Sequence, residues 1–208
     1  MCSRARTERD LAREVTRRIV AAEGESGPRL VHVRGVVETV RTVARTGGWP
    51  AAIVGAAVRA AWLHDVLRLE DPERLRRRIE SAGEVPDPWA LARTPRLLHA
   101  HAAAVWAAGR GETDPGVLTA VRHHPTAHPE WGPVGLLLYV ADFCEPGRPY
   151  AGRLDTTRIR ILAGEGEGGL TEAARRVLGL RLAHQLAKGH EVHPLTLASW
   201  RRWFTRGS

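Results

Sequence analysis

Ala61-Trp62-Leu63-His64-Asp65 is an apolar run that ends abruptly in a histidine followed by an aspartate. Upstream of it, apolar residues recur at helical spacing after Pro50, which predicts a buried helix from about residue 50 to residue 67. Adjacent helical residues point about 100° apart. The two side chains can therefore reach one ion only if the helix end accommodates them or a second ion binds the aspartate.

An isolated His-Asp pair is better explained by a hydrogen-bonded core histidine and a surface aspartate, because the dipeptide is common by chance. Four other polar residues, however, lie on or beside apolar helical segments elsewhere in the chain: His32, His99, His124 and Asp142. A polar group buried without a partner costs roughly 1 to 3 kcal/mol. These groups are therefore expected to partner one another, and a metal ion would satisfy several of them at once.

The order of these residues resembles the ligand order of the HD superfamily of metal-dependent phosphohydrolases. Within it, the chain is most similar to the bacterial symmetrical bis(5′-nucleosyl)-tetraphosphatases, which cut diadenosine tetraphosphate into two molecules of ADP. The resemblance runs from about residue 29 to residue 200. It rests on Arg29-Leu-Val-His32, Trp62-Leu-His-Asp65, Leu97-Leu-His-Ala-His-Ala-Ala-Ala104, Ala120-Val-Arg-His-His124, Leu138-Tyr-Val-Ala-Asp142 and Glu145-Pro-Gly-Arg148. The last two motifs together are the most specific.

The resemblance implies an all-α HD-domain helical bundle with a metal site in its centre. One ion would be held by His32, His64, Asp65 and Asp142, and the other by His99 and His124, with Asp65 bridging the two. Imidazole and carboxylate ligands suit two divalent or trivalent ions, iron first, with manganese, nickel or zinc as alternatives. Such a pair of ions can activate a water while neutralising phosphate oxygens.

The same resemblance gives roles to residues outside the ligand set. Asp65, Arg68 and Arg148 are the predicted catalytic residues, and Arg68, Thr126, His128 and Arg148 are predicted to contact the substrate. Arg68 stands where the family usually has lysine, and the run His124-Pro-Thr-Ala-His128 departs from the family's loop. A surface arginine on a proline-rich turn is the alternative for Arg148. His101 and His123 lie so close to His99 and His124 in sequence that either could replace its neighbour as ligand.

The 208 residues are enough for one domain with a sizeable core. We predict an N-terminal charged helix and linker at 1–28 and the hydrolase domain at 29–204, all helical. Asp71 and Asp114, each followed by proline, are predicted helix caps. Residues 83–95 are predicted to be irregular and residues 164–169 to form a flexible break.

The formal charge of +8 suits an anionic partner, although arginines scattered over solvated helix faces explain it equally well. A dinucleoside polyphosphate or other nucleotide is the expected partner, with nucleic acid a less favoured one and a homodimer compatible with the sequence. Two cysteines make a disulfide framework or a thiolate metal site unexpected. No apolar run approaches the roughly 20 residues of a membrane span, so we expect no membrane association and a cytoplasmic protein.

These observations predict a metal-dependent hydrolase of dinucleoside polyphosphates. One alternative is an HD-type phosphohydrolase that acts on another nucleotide or on an RNA end. Another is a catalytically weak nucleotide-binding module, which the altered loop after His124 would suit. All six ligand positions are filled, which favours the enzyme.

Overall fold

A computed structural model describes residues 7–24, 27–148 and 156–204. Within these ranges the chain forms eleven α-helices and no β-strand, which confirms the all-α prediction. The helices are α1 (Glu8–Glu23), α2 (Pro28–Thr46), α3 (Ala51–Leu63), α4 (Pro72–Ser81), α5 (Pro88–Arg93), α6 (Leu98–Ala108), α7 (Pro115–His123), α8 (Pro133–Cys144), α9 (Thr156–Ala163), α10 (Gly166–Ala187) and α11 (Pro194–Phe204). A short 3₁₀ turn, Pro95–Leu97, precedes α6.

Several helices begin at a capping side chain followed by proline. Asp71 accepts a hydrogen bond of 3.0 Å from the backbone N–H of Glu73 at the start of α4. Asp114 accepts two at the start of α7, of 2.9 Å from Gly116 and 3.3 Å from Val117. Both predicted caps are confirmed, because these carboxylates satisfy N–H groups that have no partner inside the helix.

Helix α8 lies at the centre of the bundle. It packs against α2, α3, α7, α9 and α10, and every residue from Val134 to Cys144 is buried. A helix that is apolar all round belongs inside the protein. The single acidic residue of this helix, Asp142, is therefore carried into the interior by its neighbours and needs partners there.

Helix α1 packs against α2 and α3 through Leu11, Val15 and Ile19, which belong to the same hydrophobic core as α8. The division of the chain at residues 28 and 29 stays a prediction. Across the part of the chain that the structure describes, no helix combines the length and the apolar character that a membrane span requires.

Both segments that were predicted to be irregular or flexible differ from that prediction. Residues 83–95 were expected to be irregular, but they include α5, which begins at Pro88 after the cap Asp87. Asp87 accepts a hydrogen bond of 3.0 Å from the N–H of Ala90, so the signal that starts α4 also operates here.

The expected break at 164–169 is largely the first turn of α10. A Cβ on Gly169 would lie 2.2 Å from the carbonyl oxygen of Leu162, so this glycine allows α9 and α10 to approach closely.

Candidate metal centre

His64 and Asp65 lie just beyond the end of α3, which stops at Leu63 and is therefore shorter than predicted. A turn occupies the next residues, and the backbone N–H of His64 still donates to the carbonyl of Ala60 over 2.9 Å. Both side chains are buried, with 3.6 Å between Nε2 of His64 and Oδ2 of Asp65. The helix end thus brings two consecutive side chains to one place.

The first cluster consists of His32 from α2, His64 and Asp142 from α8. Its three potential ligand atoms lie within 4.8 Å of one another. Nε2 of His32 is 3.1 Å from Oδ1 of Asp142 and 3.3 Å from Nε2 of His64. All three residues are buried, so the donors face one another inside the protein.

The second cluster consists of Asp65, His99 from the first turn of α6, and His124 at the end of α7. Its potential ligand atoms also lie within 4.8 Å of one another. Oδ1 of Asp65 is 3.1 Å from Nε2 of His99 and 3.6 Å from Nε2 of His124. Both clusters are made of imidazole nitrogen and carboxylate oxygen, and in the described residues they are the groups able to hold a metal ion.

The two oxygens of Asp65 face different clusters. While Oδ1 lies against His99 and His124, Oδ2 lies 3.8 Å from Nε2 of His32 and 3.6 Å from Nε2 of His64. A carboxylate in this position can contribute one oxygen to each of two neighbouring ions. The arrangement supports the bridging role expected for Asp65.

In all four histidines the ring nitrogen that faces away from the clusters has a hydrogen-bond acceptor. This places the ring proton on that nitrogen and leaves the nitrogen that faces the clusters unprotonated. Nδ1 donates to a backbone carbonyl in three cases: His64 to Ala61 over 2.7 Å, His99 to Arg96 over 2.6 Å and His124 to Val121 over 2.9 Å. Nδ1 of His32 lies 3.0 Å from Oε1 of the buried Glu145. With the proton on Nδ1, each Nε2 keeps its lone pair toward the clusters, which is the tautomer that binds a metal.

Burial disfavours the charged forms of His64 and His99, whereas Asp65 and Asp142 remain ionised. Burial lowers the pKa of His64 to about 3 and also lowers the pKa of His99. Burial opposes ionisation of Asp65, but His64, His124 and His99 outweigh it and hold its pKa well below the ordinary value. Neutral imidazole and ionised carboxylate are the protonation states that a metal requires. The residues present therefore fit a metal centre.

Asp142 is surrounded by guanidinium groups. Arg148 pairs with its Oδ1 and donates from Nε to its backbone carbonyl over 2.9 Å, while Arg181 donates to Oδ2 over 2.7 Å. Although burial opposes ionisation, these charges and His32 hold the pKa of Asp142 well below its ordinary value. The structure thus brings Arg148 to the edge of the first cluster, where Nη2 lies 3.3 Å from Nε2 of His32.

Arg68 lies beside the centre and is partly buried. Burial lowers the pKa of Arg68, the charge of Asp65 raises it, and the charges of Arg29 and Arg96 lower it. Among the described residues, no hydrogen bond or ion pair is formed by its guanidinium. Because arginine keeps its charge at neutral pH, Arg68 presents a cation without a direct ion pair next to Asp65.

The side chains of Thr126 and His128 form hydrogen bonds to the backbone of their own loop. The hydroxyl of Thr126 donates to the carbonyl of His123 over 3.2 Å, and Nδ1 of His128 accepts from the N–H of Glu130 over 3.2 Å. The loop also contains Ala127, a buried non-glycine residue with a φ of 64°. The assignment of Thr126 and His128 to substrate contacts stays a prediction.

His101 and His123 point away from the two clusters. Nε2 of His101 lies 2.8 Å from Oε2 of Glu84, and the ring of His123 lies 5.0 Å from that of His128. The geometry therefore favours His99 and His124 as ligands over their neighbours in sequence.

Sequence reasoning assigned no role to three residues that contact the clusters: Glu145, Arg29 and Arg181. Arg29 pairs with Oδ2 of Asp65. It lies three residues before His32, so helical spacing on α2 could have indicated it. Glu145 is the first residue of the Glu-Pro-Gly-Arg motif. Its partner, the buried His32, lies far away in the sequence, so the motif alone did not indicate this contact. Arg181 lies far along the chain in α10, and no local signal points to it.

Comparisons with known proteins agree with this geometry. The chain is 28% identical over 181 residues to the symmetrical bis(5′-nucleosyl)-tetraphosphatase of Bacillus subtilis, covering 86% of this chain and 91% of the relative. It is 29% identical over 173 residues to the protein of the same name from Halalkalibacterium halodurans, covering 83% of this chain and 87% of that relative. A scan against protein-family models finds no match.

A solved structure shares the fold. It is the crystal structure of a predicted HD superfamily hydrolase from Clostridium acetobutylicum, described as involved in NAD metabolism. The TM-score is 0.79 at 23% identity, covering 93% of this chain and 97% of that one. The chain is thus an all-α protein with the fold of the HD superfamily hydrolases, similar over most of its length to curated symmetrical bis(5′-nucleosyl)-tetraphosphatases.

Proposed function

We propose that the protein is a metal-dependent phosphohydrolase that cleaves dinucleoside polyphosphates symmetrically, converting diadenosine tetraphosphate into two molecules of ADP. The observation that carries this proposal is the pair of buried His/Asp clusters, in which Asp65 belongs to the second cluster and directs its other oxygen toward the first. The names of the two curated relatives support the choice of substrate.

We assign the two clusters to two ions, iron foremost, with manganese, nickel or zinc as alternatives. His32, His64 and Asp142 would hold one ion and His99 and His124 the other, with one oxygen of Asp65 for each. When bound, such a pair supplies an activated water and neutralises phosphate charge. Glu145 fixes the tautomer of His32 by accepting from Nδ1.

Arg68 and Arg148 would hold the phosphate chain. Arg68 carries a positive charge without a direct ion pair beside Asp65, and Arg148 lies at the edge of the first cluster. A guanidinium offers a planar pair of donors to phosphate oxygens and stabilises negative charge that develops on them. It cannot act as a proton shuttle at neutral pH, so substrate positioning and charge stabilisation are the roles left to both residues.

The product pattern tests the proposal. Protein reconstituted with iron or manganese should convert diadenosine tetraphosphate into ADP as the sole nucleotide product, as followed by anion-exchange chromatography. ATP plus AMP would exclude symmetrical cleavage while leaving metal-dependent hydrolysis intact. No turnover of this substrate, with turnover of a nucleoside monophosphate, would exclude the proposed substrate class.

A further inference from the structure

A cleft of about 780 Å³ lies between α1, α4 and α6, and we call it the arginine cleft. A cavity of this size is large enough for a nucleotide. Its wall includes Arg17 and Arg18 from α1, Arg74 from α4, Trp106 from α6, Arg110 just after α6, and Asp65. Since Asp65 also belongs to the second cluster and directs one oxygen toward the first, the cleft adjoins the metal centre.

Four arginines and four carboxylates line the cleft, so its formal charge is balanced, but not every arginine is paired. Arg18 is paired with Glu70, and Nε of Arg110 donates to Glu14 over 2.6 Å. Arg17 and Arg74 are exposed, and neither guanidinium forms a hydrogen bond or ion pair within the described part of the chain. These two cations are therefore available to an anionic ligand, and each could bind phosphate through two parallel donors.

Trp106 adds an aromatic wall to the same cleft. Cζ of Arg110 lies 4.0 Å from the centroid of its ring and Cζ of Arg18 lies 5.9 Å away. The indole Nε1 is buried and has no acceptor among the residues that the structure describes. Trp106 is thus the buried base of this wall, and the guanidinium groups that lie over it are the part that a phosphorylated nucleoside could contact.

A symmetrical cut places a geometric demand on the protein. A tetraphosphate chain is divided equally only if its middle anhydride lies at the metal centre, so a nucleoside diphosphate must extend to each side. In the proposed function Arg68 and Arg148 lie next to the centre and hold phosphate there, and the arginine cleft also opens beside Asp65.

We infer that the arginine cleft binds the second nucleoside diphosphate half of the substrate and so fixes which anhydride is cleaved. This inference rests on the proposed function. Water forms a bond to one central phosphorus, and the bond from that phosphorus to the bridging oxygen breaks. The bridging oxygen leaves with the nucleoside diphosphate in the cleft, and protons from the water pass to solvent.

Binding of ADP tests the inference without relying on turnover. By calorimetry, the metal-loaded wild-type protein should bind two ADP per chain, and the double variant Arg17→Ala with Arg74→Ala should bind one. The control is Arg13→Ala with Arg77→Ala, which removes the same charge from exposed positions of α1 and α4 outside the cleft. It should bind two ADP.

Kinetics give the second readout. The Arg17/Arg74 variant should raise KM for diadenosine tetraphosphate by about tenfold or more with kcat preserved, because each lost charge-assisted contact is worth at least that factor. If the wild type cuts this substrate and the variant keeps both its KM and two ADP sites, the cleft assignment is wrong and the proposed function stands. If the wild type does not cut it, both are wrong.

Discussion

Asp65 is the side chain on which both clusters depend, because its two oxygens face different sets of histidines. Asp65→Ala should therefore lose both ions or nearly so, as measured by elemental analysis after reconstitution with iron or manganese. His190→Ala, an exposed histidine outside the clusters, is the control and should keep the wild-type content. Two ions retained by Asp65→Ala would rule out the bridging role.

Arg148 contacts a candidate ligand, but its charge opposes that of a metal ion. Removing it in Arg148→Ala should leave metal content unchanged or binding tighter, while kcat/KM falls on the order of 10²-fold, as for one lost charge-stabilising donor. The loss should appear mainly in kcat if the contact strengthens in the transition state. Arg68→Ala should show a smaller loss. Loss of metal from Arg148→Ala would instead make its role structural.

The six candidate ligands could be predicted because each is a polar residue set in an apolar run and their order resembles a known family. The partners beyond them could not all be predicted. Arg181 approaches Asp142 from a helix that starts more than twenty residues later in the sequence, and no periodicity encodes such a contact. Charge alone did not distinguish it from the other arginines.

Glu145 links two elements, because it follows α8 and reaches His32 on α2. Its Oε2 accepts from the N–H of Gly147 over 2.7 Å, which holds the carboxylate in place. Close approach of α2 is possible because residue 35 is glycine: a Cβ there would lie 2.6 Å from Oε2 of Glu145.

Gly35→Ala should displace the Glu145 carboxylate and weaken metal binding by roughly 10- to 100-fold, the usual effect of disturbing a partner of a ligating histidine. Metal affinity measured by competition with a chelator checks this. Gly168→Ala is the matched control in α10, where an added Cβ meets nothing within 4 Å. Equal affinity in both variants would show that Glu145 does not position His32.

At the level of elements, caps and periodicity predicted most helices, and the misses have physical causes. Helix α3 ends four residues before the predicted position, because the polar pair after Leu63 turns into the centre instead of continuing the helix. Helix α5 was missed because three prolines in the segment obscured the Asp87-Pro88 start. The glycines at the start of α10 indicated flexibility, whereas Gly169 serves close packing.

The molecule as a whole buries ionised carboxylates and neutral histidines together, so its stability should depend on pH. In the metal-free protein the pKa of His64 is about 3, whereas an unfolded histidine has a pKa of about 6.5. As the pH falls, the unfolded chain takes up this proton first. The contribution of His64 is therefore complete above about pH 6.5 and is lost progressively toward pH 3.

Asp65 and Asp142 also make the folded protein less stable as the pH falls. Folding lowers their pKa values, so their contribution to the free energy of unfolding is lost at still lower pH. We expect the urea midpoint of the protein in EDTA to fall steadily from pH 7 to pH 4.5. His64→Gln should flatten the upper part of this dependence. A midpoint that is constant over the range would contradict the neutral, buried state of His64.

The assembly of the centre is the part of the fold that local sequence patterns do not encode. Its ligands come from α2, the end of α3, α6, the end of α7 and α8. Periodicity places each on its own helix, but only long-range packing decides that these helices meet. For this sequence the resemblance to a family supplied that information.

If both candidate sites bind metal, the carboxylate of Asp65 would link them thermodynamically. An ion in one site would orient Asp65 for the other, which favours the second ion, while repulsion between like charges about 3.5 to 4 Å apart opposes it. Whichever effect is larger, each ion must change the affinity of the other by the same factor. Occupancy of this protein would then follow a coupled isotherm, and the affinity of neither site could be measured alone.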